Sequence, residues 1–398
     1  MASSPEPPAP GWLLTGSRVA FALLALALCV ATLLPIIETN QWWVRIFDFP
    51  RIQITVLIAI TLAAQTTIGL LAWRWRRRAG LPGSRASRLG RVVLPALLFA
   101  ALCWQLFRIA PYTPILAVQM QDARAEPGER IRLLIHNVRY DNRRSDALLE
   151  LVERVDPDAV LLAEPTQWWH EAVQPLAEAY PHTVEQPQEN HYGLLFYSRF
   201  ELVEPDVRFL VEDEVPSIRT GVRLPSGRVV RLYGLHPKPP GLKRPVDPER
   251  EDSDQRDAEL LTVAKEIKEA HDSGDDTPTI VAGDFNDVAW SHTTRLFQRV
   301  SGLLDPRIGR GLFNSFSARS RIQRYPIDHV FASEHFRLVR MEVLADIGSD
   351  HHPIVVTLAL QPTAEATQDE PDPEGDDLEE AEETIEEAKE KVQEEPGS

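Results

Sequence analysis

Cysteine is nearly absent: the chain of 398 residues has two, Cys29 and Cys103. Both fall inside long apolar runs, so the rest of the chain has no disulfide framework and must rely on a hydrophobic core. Charge is missing from three stretches, Val19 to Ile37, Gln53 to Trp73 and Val92 to Ala110. The one charged residue within them, Arg108, sits near an end where its stem can snorkel. Each stretch is close to the ~20 residues a membrane-spanning helix needs. None has a polar face, which argues against buried helices of a soluble protein, and three in succession exclude a single cleaved signal peptide.

Acidic residues are missing between the second and third stretches, where Arg74, Arg76, Arg77, Arg78, Arg85, Arg88 and Arg91 stand unopposed. The loop after the first stretch has only Arg45 and Arg51, against Glu38 and Asp48. Short arginine-rich loops stay on the cytoplasmic side, so the amino terminus is expected inside and everything after Ala110 outside. Trp42, Trp43, Trp73 and Trp75 lie near span ends, as an aromatic belt would place them. Net positive charge is also lacking. The formal charge is −17, divided into +8 over residues 1–110, −14 over 363–398 and −11 over 111–362. An acidic middle portion disfavours a general grip on long nucleic acid through its phosphates. No internal repeat is visible.

What is present divides into a three-helix anchor (1–110), a proline-containing linker (111–129), an α/β domain (130–361) and an acidic tail (362–398). The tail is too polar to fold alone, apart from transient helix over Glu379 to Glu395 aided by a pair such as Glu387 with Lys391, and is expected to be disordered. In the domain, Ile131–Val138, Ala159–Ala163, Tyr192–Tyr197, Thr279–Ala282, Ile327–Phe331, Leu338–Leu344 and Ile354–Leu360 read as strands, and Asp146–Val155 and Glu259–Ala270 as helices. Ser217–Leu224 and Arg228–Leu235 flank Pro225-Ser226-Gly227 and read as a hairpin. Hairpins mixed with crossovers suggest two mixed sheets packed face to face, with helices outside.

Polar residues punctuate the ends of these strands. In Gly283-Asp284-Phe285-Asn286 the alternation points Asp284 and Asn286 to one side; the alternative is a polar turn capping a helix near Ser291. In Ser349-Asp350-His351-His352-Pro353, a carboxylate beside an imidazole suits metal binding or proton transfer, while His352 reads as a packing residue. Asp328, in Ile327-Asp328-His329, is placed to fix the tautomer of His351 or to be an ordinary surface aspartate. Glu164 ends a buried strand, which is costly unless the acid is paired or binds metal. Asn137 and His236 occupy the same kind of position. Oxygen ligands suit a hard divalent cation, and the set points to metal-assisted hydrolysis of a phosphate ester.

The order Asn137, Glu164, His236, Asp284 with Asn286, Asp328, then Asp350 with His351 resembles the endonuclease/exonuclease/phosphatase superfamily, the deoxyribonuclease-I-like group, over residues 130–361. The three-span amino terminus resembles its bacterial membrane-anchored members. The resemblance implies a four-layer α/β sandwich of two mixed sheets preceded by three transmembrane helices. It implies Glu164 as principal Mg²⁺ ligand (Mn²⁺ being the alternative), with Asn137 and Asp350 completing the shell. Asp284 would orient the nucleophilic water, Asn286 bind the scissile phosphate, His236 contact a phosphate oxygen, and His351, oriented by Asp328, act as general base or electrostatic stabiliser. The implied protein is a membrane-anchored phosphoesterase of the bacterial inner membrane, its catalytic domain extracytoplasmic and its three amino-terminal helices in the lipid bilayer. Nucleic acid or nucleotides lead as substrate, and a phospholipid or sphingomyelin-type headgroup is second. A non-catalytic scaffold is disfavoured, because it needs no such set of strand-end groups. Lys238, Lys243 and Arg244 after His236, and Arg319, Arg321 and Arg324 before Asp328, would receive phosphates or be ordinary loop charges. Trp168 and Trp169 would stack on a base, meet lipid or lie in the core.

Overall fold

The structure is a computed structural model that describes residues 11–78, 85–124, 129–241, 252–361 and 364–394. Lys243, Arg244 and the middle of the arginine-rich loop lie outside the described residues. Four helices come first: α1 (Gly11–Leu33), the short α2 (Trp42–Arg45), α3 (Arg51–Arg78) and α4 (Arg85–Ile109). The chain divides into two compact units, Met1–Glu38 with Pro50–Ala110, and Thr39–Phe49 with Pro111–Ser398.

In the first unit α1, α3 and α4 contain segments long and apolar enough to cross a membrane, Val19–Ile36, Arg51–Leu71 and Val92–Tyr112. Leu23, Ile60 and Phe107 are exposed on them. One polar chain links the three: Arg51 Nη1 donates to Gln105 Oε1 at 3.0 Å, and Gln105 Nε2 donates to Thr32 Oγ1 at 3.2 Å. Among apolar helices such bonds fix rotational register, since the alternative is an unsatisfied polar group.

The second unit holds two mixed sheets. The elements are β1 (Glu129–Asn137), α5 (Ser145–Val155), β2 (Ala159–Ala163), α6 (Gln167–Ala172), β3 (His182–Gln186), β4 (Leu194–Ser198), β5 (Leu202–Phe209), β6 (Pro216–Arg223), β7 (Val229–Leu235), α7 (Asp254–Asp272), β8 (Thr279–Asp284), α8 (His292–Ser301), β9 (Asp328–Ala332), β10 (Phe336–Val343), β11 (Ile354–Leu360) and α9 (Asp377–Glu394). One sheet has the order β10-β11-β1-β2-β4-β3 and the other β5-β6-β7-β8-β9. Alternation along β1 sends Ile131, Leu133 and Ile135 to the core between the sheets and Leu134 to the opposite face. The core between the sheets joins Ile135, Leu161 and Phe196 to Ile218, Leu232, Ile280 and Val330. Outside the first sheet lie Leu148, Leu151 and Val152 of α5 and Trp169 of α6. Outside the second lie Leu260, Leu261 and Ala264 of α7 with Leu296 and Phe297 of α8. The result is the expected four-layer sandwich. Burial on both faces explains why the central strands read as continuous apolar runs.

The expected hairpin forms, with Leu224 N donating to Arg228 O at 2.8 Å around Gly227 in the left-handed region. Two strands were not anticipated from sequence, β3 and β5. Both are sheet edges, and β5 mixes Leu202, Val203, Val207 and Phe209 with Glu204, Asp206 and Arg208 and carries Pro205 at a register shift between Val203 and Asp206. Proline is tolerated at an edge, where its missing N–H faces no ladder. The expectation of a disordered tail is corrected: Asp377–Glu394 is the helix α9. Its Ala381, Ile385 and Ala388 form a stripe that joins the core over α7. Composition describes what a segment buries by itself, and here the missing apolar partner is supplied by the domain.

Candidate active site

Strand topology assembles the site. β1 and β2 run parallel, with Asn137 opposite Ala163, and β7 and β8 run parallel, with Leu235 opposite Gly283. Four carboxyl-terminal strand ends therefore meet at one edge of the sandwich. β9 enters antiparallel beside β8, placing Asp328 opposite Asp284. β11 pairs antiparallel with β1, so Asp350 and His351 arrive near Asn137. Gly283 has φ +143, and a Cβ there would lie 1.9 Å from Leu235 O, so this close strand approach needs glycine.

Asn137 ties the two sheets together. Its Nδ2 donates to Glu164 Oε1 at 2.9 Å and to Asp284 Oδ2 at 3.0 Å, while Oδ1 accepts from Arg139 N at 3.0 Å. Glu164 Oε2 accepts from Tyr140 N at 3.3 Å. Asp284 Oδ2 faces two imidazoles, His351 Nε2 at 3.6 Å and His236 Nε2 at 3.8 Å. Its Oδ1 accepts from Asn286 N at 2.9 Å. His351 Nδ1 bonds Asp328 Oδ2 at 2.9 Å. Glu164 and Asn286 have φ of 60° and 52°. Non-glycine residues held there mark a backbone that its surroundings over-determine, a common property of functional sites.

The electrostatics are those of a carboxylate-rich buried site. Burial raises the carboxyl pKa of Glu164, against the Asn137 hydrogen bond and the His351 charge. Burial also raises that of Asp284, opposed by His351 and reinforced by Asp328. Burial alone would lower the pKa of His351, but Asp328 and Asp284 overcome it and raise it to about 10. The imidazolium is thus the form held between the two aspartates. A divalent cation fits this donor set. Glu164 and Asp284 are partly or fully desolvated carboxylates sharing one amide donor. Asp328 Oδ1 is buried with no hydrogen-bond partner among the described residues.

Of the residues singled out from sequence, Asn137, Glu164, His236, Asp284, Asp328 and His351 are brought together. Asn286 adjoins them through its backbone, its Nδ2 donating to Pro237 O at 3.0 Å. The helix near Ser291 is capped by Ser291 itself, which accepts from Thr294 N, so Asp284 and Asn286 are not its caps. Asp350 stands at the rim with 29% side-chain exposure, 3.7 Å from Arg139 Nη1. His352 turns away and donates to Leu344 O at 2.9 Å. Trp169 is core, its indole donating to Arg139 O at 3.1 Å, and Trp168 is exposed beneath Arg143. Lys238 pairs with Glu212 at 3.0 Å.

Sequence reasoning missed the residues that orient the site. Ser349 Oγ donates to Asn137 O at 2.7 Å and accepts from His351 N at 3.0 Å, tying the last motif to the first strand. Its place at the start of the Ser349-Asp350-His351-His352-Pro353 string was a usable signal. His329, neighbour of Asp328, has Nδ1 accepting from Arg307 Nη2 at 2.7 Å and Nε2 donating to Asp287 O at 2.8 Å. No sequence signal marked that pairing.

Burial, then the Arg307 charge, pushes the His329 pKa well below its ordinary value. The folded state keeps this ring neutral, while the unfolded chain protonates it below ~6.5. The stability it confers is therefore present above that pH and lost as pH falls. About 2 kcal/mol should go between pH 6.5 and 5.0. Thermal unfolding of the full chain should show this acid loss together with a like share from His136, whose pKa burial lowers to about 3, and His329→Gln, which keeps one donor and one acceptor, should remove the His329 share. An equal loss in the variant would assign it elsewhere.

A model of the Endonuclease/Exonuclease/phosphatase family matches residues 134–351. The chain belongs to that family. It is accordingly a metal-dependent hydrolase of phosphate ester bonds. No curated protein matches it by sequence. Among solved structures, it is similar to an endonuclease/exonuclease/phosphatase from Beutenbergia cavernae, at 19% identity over 58% of this chain and 72% of that one, TM-score 0.45. It is similar to a D. rerio TDP2 complexed with single strand DNA product, at 19% identity over 58% and 99%, TM-score 0.47. The human Nocturnin catalytic domain with bound sulfate anion aligns at 18% identity over 58% and 95%, TM-score 0.44.

Proposed function

We propose that this family member is a membrane-anchored, Mg²⁺-dependent phosphodiesterase, with Mn²⁺ as the alternative metal, acting on nucleic acid or nucleotides. The observation that carries the reading is the Asn137 amide shared between Glu164 and Asp284, with His351 and His236 flanking the same Asp284 oxygen. Glu164 is assigned as the principal metal ligand, with Asn137 beside it and Asp350 from the rim. A bound divalent cation would polarise the phosphoryl group and stabilise its developing charge. Asp284, with one oxygen committed to Asn286 N and the other facing both imidazoles, orients the attacking water. Asn286 and His236 bind the non-bridging phosphate oxygens. His351, clamped between Asp328 and Asp284, presents positive charge to the pentacoordinate phosphate.

Three helices able to cross a membrane support a second reading, hydrolysis of a lipid headgroup phosphate at the bilayer surface. The arginine-rich loop supports an amino terminus inside and a catalytic domain outside the inner membrane of a bacterium. The test uses the full chain in detergent with Mg²⁺, incubated in parallel with single- and double-stranded DNA, RNA and phospholipid vesicles, with Asp284→Ala as control. Metal-dependent cleavage of nucleic acid, lost in the control, is expected. Release from vesicles alone would move the enzyme to the lipid branch, and no hydrolysis of any of them would overturn the reading.

A further inference from the structure

Asp287, directly after the Gly283–Asn286 string, is buried and serves none of the chemistry described above. It accepts from Val288 N at 2.9 Å and Ser291 Oγ at 2.7 Å, and faces two buried guanidiniums, Arg256 at 3.2 Å and Arg45 at 3.7 Å. Arg256 also donates to the carbonyl of Asn286 at 3.1 Å and to Asp257 Oδ1 at 2.9 and 2.7 Å. Arg45 comes from the segment between the first two apolar helices. It donates to Thr293 Oγ1 at 2.8 Å and lies 3.6 Å from Asp48. Further contacts seat the same segment. Trp290 Nε1 donates to Asp48 O at 2.8 Å, and Ser253 N donates to Asn40 O at 2.8 Å. Tyr112, just after the third apolar helix, packs edge-on against Trp290.

Two cations here meet three buried carboxylates, Asp48, Asp257 and Asp287. Removing Arg45 leaves Asp287, carried by the 284–291 loop, and Asp48 buried with one cation fewer to compensate them. Asn286 is held at φ 52°, which its neighbours must enforce.

We propose that Arg45 is a positioning residue of the phosphoesterase site: the Thr39–Phe49 segment inserts it beside Asp287, and with Arg256 it fixes the loop that presents Asn286. The segment between two membrane-type helices is thus a working part of the reaction centre, a role beyond tethering. The catalytic half rests on the role proposed for Asn286, whereas the structural half does not.

The test compares the full chain with Arg45→Met and Arg45→Lys. Amide hydrogen exchange over 284–291 is expected to rise at least tenfold in Arg45→Met and less in Arg45→Lys, with β1 and β6 unchanged. On bis(p-nitrophenyl) phosphate with Mg²⁺, Arg45→Met should lower kcat about tenfold in the parent background but less than twofold when Asn286→Ala is already present, since the two would act through one element. Unchanged exchange in 284–291, or a uniform rise across all strands, would overturn the proposal. An equal loss of kcat in both backgrounds would do the same. No hydrolysis of phosphoesters by the parent chain would sink the functional reading alone, because the exchange comparison still decides whether Arg45 holds the loop.

Discussion

Asp284→Asn is expected to lower kcat about 10³-fold while leaving the melting temperature within a few degrees of the parent. The replacement is nearly isosteric, so the core behind it, where Phe285 packs on Phe297 and Phe331, is undisturbed. What changes is the acceptor count. Asp284 receives Asn137 Nδ2 on one oxygen and Asn286 N on the other, and the first oxygen also faces His351 and His236. An asparagine offers one acceptor and one donor, so a donor must confront either Asn286 N or the Asn137–histidine side. The carboxylate proposed to orient the attacking water is lost, and so is the charge that helps hold His351 protonated. General acid–base and positioning contributions of this kind are worth about 10²–10⁴ in rate, and 10³ corresponds to about 4 kcal/mol of barrier. Stability should not follow, because burial already disfavours the ionised carboxyl. Steady-state kinetics with a thermal melt of the same preparation decide the matter. Loss of activity together with loss of fold would make Asp284 a structural residue.

The contrast between what sequence revealed and what it concealed has a physical basis. Asn137, Glu164, His236 and Asp284 were legible because each is a polar residue ending an apolar run, and parallel pairs of strands necessarily bring such ends together. Asp328 and His351 were legible as partners because an acid beside a buried strand needs a cation or donor. Arg45 was concealed because an arginine in the short loop between two apolar stretches looks like an interfacial charge. Its partners lie some two hundred residues away, and their proximity exists only after both sheets have formed. Arg256, within a helix whose face reads as ordinary amphipathic pattern, was concealed in the same way. The edge strand β5 was missed because an edge need satisfy only one neighbour and so tolerates a proline and charged Glu204, Asp206 and Arg208 among its apolar residues.

The tail shows the same limit of local reading and yields a further prediction. Shortening the chain to end at Pro371 is expected to lower domain stability by about 3 kcal/mol, from one large and two small apolar side chains plus partly screened ion pairs. The strap before it, anchored by Gln368 Nε2 donating to Glu334 O and Phe336 O at 2.8 Å, is retained. What goes is α9, with Ala381, Ile385 and Ala388 in the core. Also lost are Asp377, which takes two 2.7 Å bonds from Arg299, Glu380 on His292 at 2.5 Å, and Lys391 on Asp254 at 2.5 Å. For a domain of this size that loss is about 6–12 °C in melting temperature. Much of the effect should survive high salt, because the apolar stripe is indifferent to screening while the ion pairs are not. A shortened chain that melts with the parent would show that the helix contributes nothing to the fold. A destabilisation abolished by salt would show that charge pairing, and not the buried stripe, holds it there.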